Sequence, residues 1–180
     1  DFLDYITGFC PVYYVFGNHD YHAFRKNPEG IEDFAKAISE KGIISLHNLC
    51  IQIEKNGKVY DLAGLGDVRY KKHDFQQVAS GFSNKAFARI GFSHNPDIVL
   101  ELPENAFDYM FCGHFHGGQI WAPFALEFRL LRKDLLCKKG ICSGLHRFNG
   151  INLYISRGLG NVIIPLRFLS RPEITVAYLP

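Results

Sequence analysis

The chain has 180 residues, 47% of them hydrophobic and 14% aromatic, which is long enough to enclose the core of one globular domain. Its formal net charge of +2 is too small to indicate nucleic-acid binding, and no apolar run of about 18 residues indicates a transmembrane helix. The five cysteines form no Cys-x-x-Cys pair, which argues against zinc ribbons and thioredoxin-like redox sites. We expect mostly free thiols, with Cys137 and Cys142 as the candidate for a disulfide.

The first predicted strand covers residues 11–16, which are β-branched and aromatic, and it stops at Gly17. Asn18, His19 and Asp20 follow at once, so three polar side chains stand at the carboxyl end of a strand. Open α/β sheets bind their ligands at this end. Glycine, asparagine and aspartate also favour plain turns, but the histidine between Asn18 and Asp20 favours a functional site.

The next part of the chain predicts a helix followed by a hairpin. Apolar residues between Pro28 and Gly42 recur at the spacing of one helix face, and Gly42 is a typical C-terminal cap. Strands are predicted over 44–54 and 59–65, and the Asn-Gly pair at 56–57 between them is typical of a type I′ turn.

Two further predicted strands also lead to histidines. The strand over 88–92 leads to His94, within the sequence Ser-His-Asn-Pro, and the strand over 107–112 leads to His114 and His116. With His19 after the first strand, histidines therefore follow three predicted strands. We interpret these positions as a metal-centred active site. A His-x-His pair by itself is equally compatible with a solvated surface turn.

The segment 122–139 mixes apolar residues with five basic ones and only two acidic ones, Glu127 and Asp134. Such a segment can lie on an anionic lipid surface or against a lipid-bearing substrate. A lid packed on the body of the protein is an equally compatible interpretation. A hairpin around Gly150 and a closing strand over 173–179 are predicted beyond it.

Three motifs occur in order along the chain: Gly-Asn-His-Asp at 17–20, Ser-His-Asn-Pro at 93–96 and Gly-His-Phe-His-Gly-Gly-Gln at 113–119. Together they resemble the third, fourth and fifth motifs of the calcineurin-like metallophosphoesterases. The Gly-Gly-Gln extension and the tail Ser-Arg-Gly-Leu-Gly at 156–160 are similar to the bacterial membrane-associated or exported branch of that superfamily. The resemblance covers nearly the whole chain.

The resemblance implies an α/β fold in which two packed mixed β-sheets are flanked by helices. Residues 1–180 would form a single domain, the C-terminal part of a metallophosphoesterase domain whose N-terminal strands are missing here. It also implies two divalent metal ions, of manganese, iron or zinc. Carried over by motif, the metal ligands are Asn18, His94, His114 and His116. The first three would share one ion and His116 would bind the other, while His19 would be the general acid, oriented by Asp20.

The first two motifs of the family, which supply the aspartate that bridges the metals, have no convincing counterpart. Asp20-Tyr21-His22 matches Asp-x-His by letters but lies inside the third motif, and Gly66-Asp67 matches Gly-Asp but comes too late. The chain also begins at Asp1 rather than at methionine. We therefore expect a fragment of a longer protein, which is inactive by itself, holds at most one ion weakly and self-associates through exposed sheet edge.

The resulting prediction is that the intact protein hydrolyses a phosphoester with a dinuclear-metal hydroxide. The expected substrate is a phosphodiester or pyrophosphate, with lipid-linked compounds among the candidates, and no nucleic-acid partner is expected. The alternatives are a non-catalytic metal-binding or interaction module that retains the fold, and a mononuclear metal-binding protein. The intact protein is expected to be membrane-associated or exported, with the cytoplasm as the alternative.

Overall fold

The computed structural model describes residues 2–120, 132–162 and 165–178. The chain divides into two compact units, Asp1–His94 and Asn95–Pro180. Ten residues of the proposed lipid-facing segment, 122–131, lie outside the described residues, as does Leu179 of the predicted closing strand. The prediction of a single domain stays a prediction.

The first unit contains four helices and five strands among its described residues. They are α1 (Phe2–Thr7), β1 (Val12–Tyr14), α2 (Asn18–Ala23), α3 (Gly30–Glu40), β2 (Ile43–Ser45), β3 (Leu49–Lys55), β4 (Lys58–Leu65), α4 (Phe75–Ser80) and β5 (Ala88–Ser93), with a 3-10 turn at Val68–Tyr70. Strands β1 and β2 form a parallel pair. Strand β4 pairs with β3 in antiparallel and with β5 in parallel orientation, which makes a mixed sheet.

The two sheets of this unit pack against each other, and helices lie outside them. A Cβ atom added at Gly64 of β4 would collide with Leu46 and Val15, which directly follow β2 and β1. Asp61 lies three positions from Gly64 along β4, so its side chain is on the other face of the sheet. There its carboxylate accepts a hydrogen bond from the Ser83 amide, just after α4. Helix α3 contacts β2 and helix α4 contacts β3 and β4. The α/β prediction with two packed sheets and flanking helices is confirmed.

The local predictions in this unit hold with one correction. Asn56 and Gly57 have φ angles of 54° and 72°, as a type I′ turn requires. The predicted strand 44–54 is wrong, because it is two strands, β2 and β3, that belong to different sheets. Asn48 breaks the run with a φ of 52°, and its side-chain oxygen accepts hydrogen bonds from the amides of Gly66 and Asp74.

The second unit contains three strands and one α-helix among its described residues: β6 (Tyr109–Cys112), α5 (Leu135–Lys138), β7 (Gly144–Phe148) and β8 (Ile151–Ile155), with 3-10 turns at Pro96–Leu100 and His116–Gly118. Strand β8 lies between its two partners, parallel to β6 and antiparallel to β7. Its inward residues Ile151, Leu153 and Ile155 are fully buried and form the centre of this core.

Two sequence predictions fail in this unit. The closing strand over 173–179 is not formed by its described residues, where Ile174, Val176 and Tyr178 are exposed. Instead, the Glu173 carboxylate accepts a hydrogen bond from the Tyr154 hydroxyl at 2.9 Å. Cys137 and Cys142 are not joined by a disulfide, and all five cysteines are free thiols.

The described helices are short. None of them combines the length and the apolar character that a bilayer crossing would need.

Candidate functional site

The Gly-Asn-His-Asp motif forms the first turn of α2, at the carboxyl end of β1. The Asp20 carboxylate accepts hydrogen bonds from the Gly17 amide at 2.7 Å and from the Tyr14 hydroxyl at 2.8 Å. These bonds fix the turn that presents Asn18 and His19, and His19 is exposed. The predicted role of Asp20 in orienting His19 stays a prediction.

Asn18 and His94 meet although 76 positions separate them in the chain. The Nε2 atom of His94 lies 2.7 Å from the Oδ1 atom of Asn18, so the ends of β1 and β5 bring two predicted ligands together. The His94 ring lies directly against Gly17, where a Cβ atom would come within 2.8 Å of Nδ1. A side chain at position 17 would therefore push the imidazole away from Asn18.

This pair fits a metal ion. Two neighbouring ligands with bonds of about 2.1 Å at right angles lie about 3 Å apart, close to the observed separation of the two donor atoms. Neutral imidazole and an amide oxygen are both established metal ligands. A bound ion would replace the proton through which His94 and Asn18 now interact.

The His-x-His turn after β6 has an unusual backbone. His114 and His116 have φ angles of 68° and 54°, and Gln119 has one of 26°, in a region where residues other than glycine are uncommon. Such backbone strain costs about 1–3 kcal/mol for each residue and clusters at functional sites. Arg132 donates hydrogen bonds to the carbonyl oxygens of His114 and Phe115, at 3.3 and 3.2 Å, and so supports the turn.

His116 is held with one ring nitrogen turned to the backbone. Its Nδ1 atom lies 2.9 Å from the carbonyl oxygen of Gly160, which can only accept, and 3.4 Å from a guanidinium nitrogen of Arg167, which can only donate. The shorter contact favours a proton on Nδ1. The lone pair is then on Nε2, as a metal ligand requires. Burial lowers the pKa of His116, the hydrogen bond to the Gly160 carbonyl opposes this, and the nearby positive charges of Arg132 and Arg167 lower the pKa further, which favours the neutral ring.

Sequence reasoning missed Asp134 as part of the site. Its carboxylate is buried, with Oδ1 lying 3.4 Å from Nε2 of His114 and accepting a hydrogen bond from Asn95 at 3.3 Å. Arg132 lies 3.7 Å from the other oxygen. A carboxylate at this nitrogen can fix the ring so that Nδ1 is the ligand atom. The available signal was an isolated aspartate in a basic and apolar segment.

The described end of the proposed lipid-facing segment packs on the protein. Leu136 and Cys137 of α5 are buried, and the Leu135 and Leu136 amides donate to the Asp97 carboxylate. Residues 132–139 therefore fit a lid packed on the protein better than a segment that faces lipid.

The four predicted ligands thus form two sets, Asn18 with His94 in the first unit and His114 with His116 in the second. Their convergence on one site stays a prediction. Over residues 2–120, 132–162 and 165–178, no three His, Cys, Asp or Glu side chains are grouped to hold a metal ion.

Comparisons with known proteins agree with the motifs. A family model described as calcineurin-like phosphoesterase matches residues 1–118. The chain is 31% identical over 168 residues to the uncharacterized metallophosphoesterase YkoQ of Bacillus subtilis strain 168, covering 91% of this chain and 58% of YkoQ. It is 30% identical over 179 residues to the phosphodiesterase YaeI of Escherichia coli K12, covering 98% of this chain and 61% of YaeI.

A third similar protein is the UDP-2,3-diacylglucosamine pyrophosphatase LpxG of Chlamydia muridarum, 32% identical over 158 residues that cover 82% of this chain and 47% of LpxG. The chain thus spans about half to three fifths of the length of these relatives. No solved structure matches it significantly.

Proposed function

Because the chain belongs to the calcineurin-like phosphoesterase family, we propose that the whole protein is a metal-dependent hydrolase of phosphoesters. The observation that carries the proposal is the 2.7 Å approach of Asn18 Oδ1 and His94 Nε2 at two strand ends. The neutral Nδ1-protonated form of His116 adds a further nitrogen donor of the right kind.

Two divalent ions are proposed, with Asn18, His94 and His114 as ligands of one and His116 as a ligand of the other. Bound ions of this kind stabilise the negative charge of a phosphoryl oxygen and lower the pKa of water. The contribution of the chain is to hold these donor atoms in place. Gly17 allows His94 to approach Asn18, Asp134 contacts the ring of His114, and the Gly160 carbonyl fixes the ring of His116.

His19 is the proposed general acid. It is exposed in the first turn of α2, directly after Asn18, where it can reach the leaving oxygen of a substrate bound at that turn. Donating a proton to that oxygen avoids the release of an unstable alkoxide, an effect typically worth about 10²–10⁴-fold in rate.

The proposed substrates are phosphodiesters or pyrophosphates. Two of the similar proteins are named a phosphodiesterase and a pyrophosphatase, and the substrate named for LpxG carries acyl chains. We also propose that the substrate is lipid-linked and that residues 122–139 contact the membrane surface. The described part of this segment offers the exposed Lys133, Leu135 and Lys138.

The proposal is tested with the purified protein, by metal analysis and by turnover of bis(p-nitrophenyl) phosphate with manganese, iron or zinc. We expect His94→Ala to lose both metal and turnover. His19→Ala should keep its metal and lose about 10²–10⁴-fold in turnover. His22→Ala, an exposed histidine of the same helix, is the matched control and should resemble the wild type.

Metal binding without any turnover would contradict the proposal and favour a non-catalytic module. Loss of metal in His19→Ala would show that this residue is a ligand rather than an acid. That the 180 residues alone are inactive and self-associate stays a prediction, which assay and sedimentation of the chain beside a longer form of the protein would test.

A further inference from the structure

The first unit contains a cavity of about 480 Å³ that the proposed chemistry does not use. Five rings contribute to its wall, those of Phe16, Tyr21, Phe24, His47 and Tyr70. Small-molecule sites are typically concave, mostly apolar and aromatic, and between about 300 and 1,000 Å³ in volume. The size and lining of this cavity therefore match those of a ligand site.

The rings that form the wall contact one another. Tyr21 and Tyr70 are stacked with centroids 5.3 Å apart, and Phe16 packs on His47 at 5.4 Å. The Tyr21 hydroxyl lies 3.3 Å from Nδ1 of His47, which ties two sides of the wall together. A wall ordered in this way loses little conformational entropy when a ligand binds.

Helix α2, which carries the Gly-Asn-His-Asp motif, also contributes to the wall of the cavity. The first turn of α2 holds Asn18 and His19, while Tyr21 and, just beyond the helix, Phe24 line the cavity. Residues 19 and 24 are separated by about 8 Å at the rise of a helix. A phosphoester bound at the first turn of α2 could therefore place its leaving group in the cavity.

The polar groups that line the cavity fit an anionic substrate whose ring carries hydrogen-bonding atoms. Arg25 and Lys72 are exposed lining residues, so two positive charges stand at the mouth, accompanied by Glu32. Ser45 and His47 also line the cavity. The His47 ring nitrogens lie 3.3 Å from the Tyr21 hydroxyl and 3.4 Å from the Asn48 amide nitrogen. The Ser45 hydroxyl accepts a hydrogen bond from the His47 amide, and a serine hydroxyl has a proton to donate as well. A plain alkyl chain would use neither the Ser45 hydroxyl nor the two positive charges, whereas a heteroaromatic ring can accept a hydrogen bond and stack on the aromatic side chains.

We propose that this cavity binds the heteroaromatic ring of the leaving group, so that the preferred substrates are phosphoesters of nucleosides or similar ring compounds. This inference rests on the proposed function, because only a phosphoester hydrolase has a leaving group. Binding of the ring itself does not depend on catalysis. Binding without metal therefore tests it separately.

The experiment is calorimetric titration of the metal-free protein with adenosine and uridine 5′-monophosphates, with dodecyl phosphate and inorganic phosphate as comparison ligands. We expect at least one nucleotide to bind more tightly than both comparison ligands. Phe24→Ala and Tyr70→Leu should raise its Kd by about tenfold or more, since they remove a stacking surface. The exposed Tyr5 of α1 provides the control, and Tyr5→Ala should leave the Kd unchanged.

The charges at the mouth are tested in the same way. Arg25→Gln and Lys72→Gln should weaken the nucleotides but not the uncharged nucleosides, while Lys36→Gln, on the same unit but outside the cavity, should change neither. Circular dichroism melting identifies any variant that fails to fold. If Phe24→Ala unfolds, Tyr70→Leu still tests the aromatic wall, because leucine keeps an apolar side chain at that position.

Tighter binding of dodecyl phosphate would overturn the inference in favour of an alkyl-chain site. Nucleotide binding that equals inorganic phosphate binding, or that is insensitive to the ring variants, would also overturn it. A protein that hydrolyses phosphoesters but binds no nucleotide would refute this inference alone. Nucleotide binding without metal-dependent turnover would refute only the proposed function.

Discussion

The carbonyl oxygen of Gly160 accepts hydrogen bonds from both Nδ1 of His116 and the guanidinium group of Arg167. Arg167 also donates to the carbonyl oxygens of His116 at 3.3 Å and Arg157 at 2.9 Å, and Ser170 donates to His116 at 2.8 Å. One arginine thus links the predicted metal ligand to the loop that selects its tautomer. Groups that orient a ligand in this way typically change metal affinity by about 10–100-fold when removed.

The first prediction follows from this linkage. Arg167→Ala should lower the affinity for the metal ion proposed at His116 by about 10–100-fold, because the Gly160 carbonyl would no longer be held against Nδ1. Metal titration followed by mass spectrometric metal analysis measures the effect. Arg171→Ala changes a nearby exposed arginine and serves as the control. Equal metal affinity in Arg167→Ala and wild type would contradict the positioning role.

The second prediction concerns the contact between Gly17 and His94. A methyl group at position 17 would overlap the imidazole ring, so Gly17→Ala should separate His94 from Asn18 and cost about 1–3 kcal/mol of unfolding free energy. Metal binding should fall as well. Gly113→Ala is the control, because a Cβ atom there meets nothing within 4 Å although His114 is adjacent. Urea unfolding and metal analysis of both variants decide the matter.

The third prediction concerns the buried carboxylate of Asp134. Asp134→Asn keeps the shape of the side chain but removes the charge that faces His114 and Arg132, so we expect a loss of about 1–3 kcal/mol in unfolding free energy. The His114 ring would also lose its orienting group, which should lower metal affinity. Glu104→Gln, at an exposed carboxylate of the same unit, should change neither quantity. Unchanged stability in Asp134→Asn would show that the carboxylate is structurally dispensable.

The fourth prediction is a pH dependence of stability. Burial lowers the pKa of His47 below its usual 6.5, and the charge of Lys72 lowers it further. The unfolded chain therefore binds a proton at a higher pH than the folded chain does, and this contribution to stability is complete above pH 6.5 and declines as the pH falls below it. Burial lowers the pKa of His116 in the same direction.

Urea unfolding between pH 8 and pH 5 measures this dependence. The free energy of unfolding of the wild type should fall more steeply below about pH 6.5 than that of His47→Gln. His22→Gln, at an exposed histidine, should follow the wild type. Parallel curves for the wild type and His47→Gln would contradict the assignment.

The fifth prediction concerns the proposed lipid-facing segment 122–139. If its basic side chains meet a membrane, the protein should co-sediment with vesicles that contain phosphatidylglycerol and not with neutral phosphatidylcholine vesicles, and salt should release it. Lys133→Glu combined with Lys138→Glu should reduce this binding, whereas Lys36→Glu should not. Binding to both kinds of vesicle, or to neither, would count against an electrostatic contact.

Local features were predictable from the sequence because short-range spacing encodes them. The apolar face of α3 follows from a period of 3.6 residues, and the turns at Asn56-Gly57 and around Gly150 follow from residues that tolerate positive φ angles. The placement of Asn18, His94 and His114 at strand ends could be inferred in the same way, since each strand and its exit are contiguous in the chain. The motifs then indicated the family.

Tertiary structure decided which side chains meet across long separations. Asp134 contacts His114 and Arg167 supports His116, and although Asp134 stands out in a basic and apolar segment, the local sequence of neither residue shows which histidine it meets. The break between β2 and β3 depends on Asn48 accepting hydrogen bonds from Gly66 and Asp74, and the cavity depends on rings from α2, from the ends of β1 and β2, and from the turn at Val68–Tyr70. Such contacts depend on how the elements pack, which local spacing and residue preference do not specify.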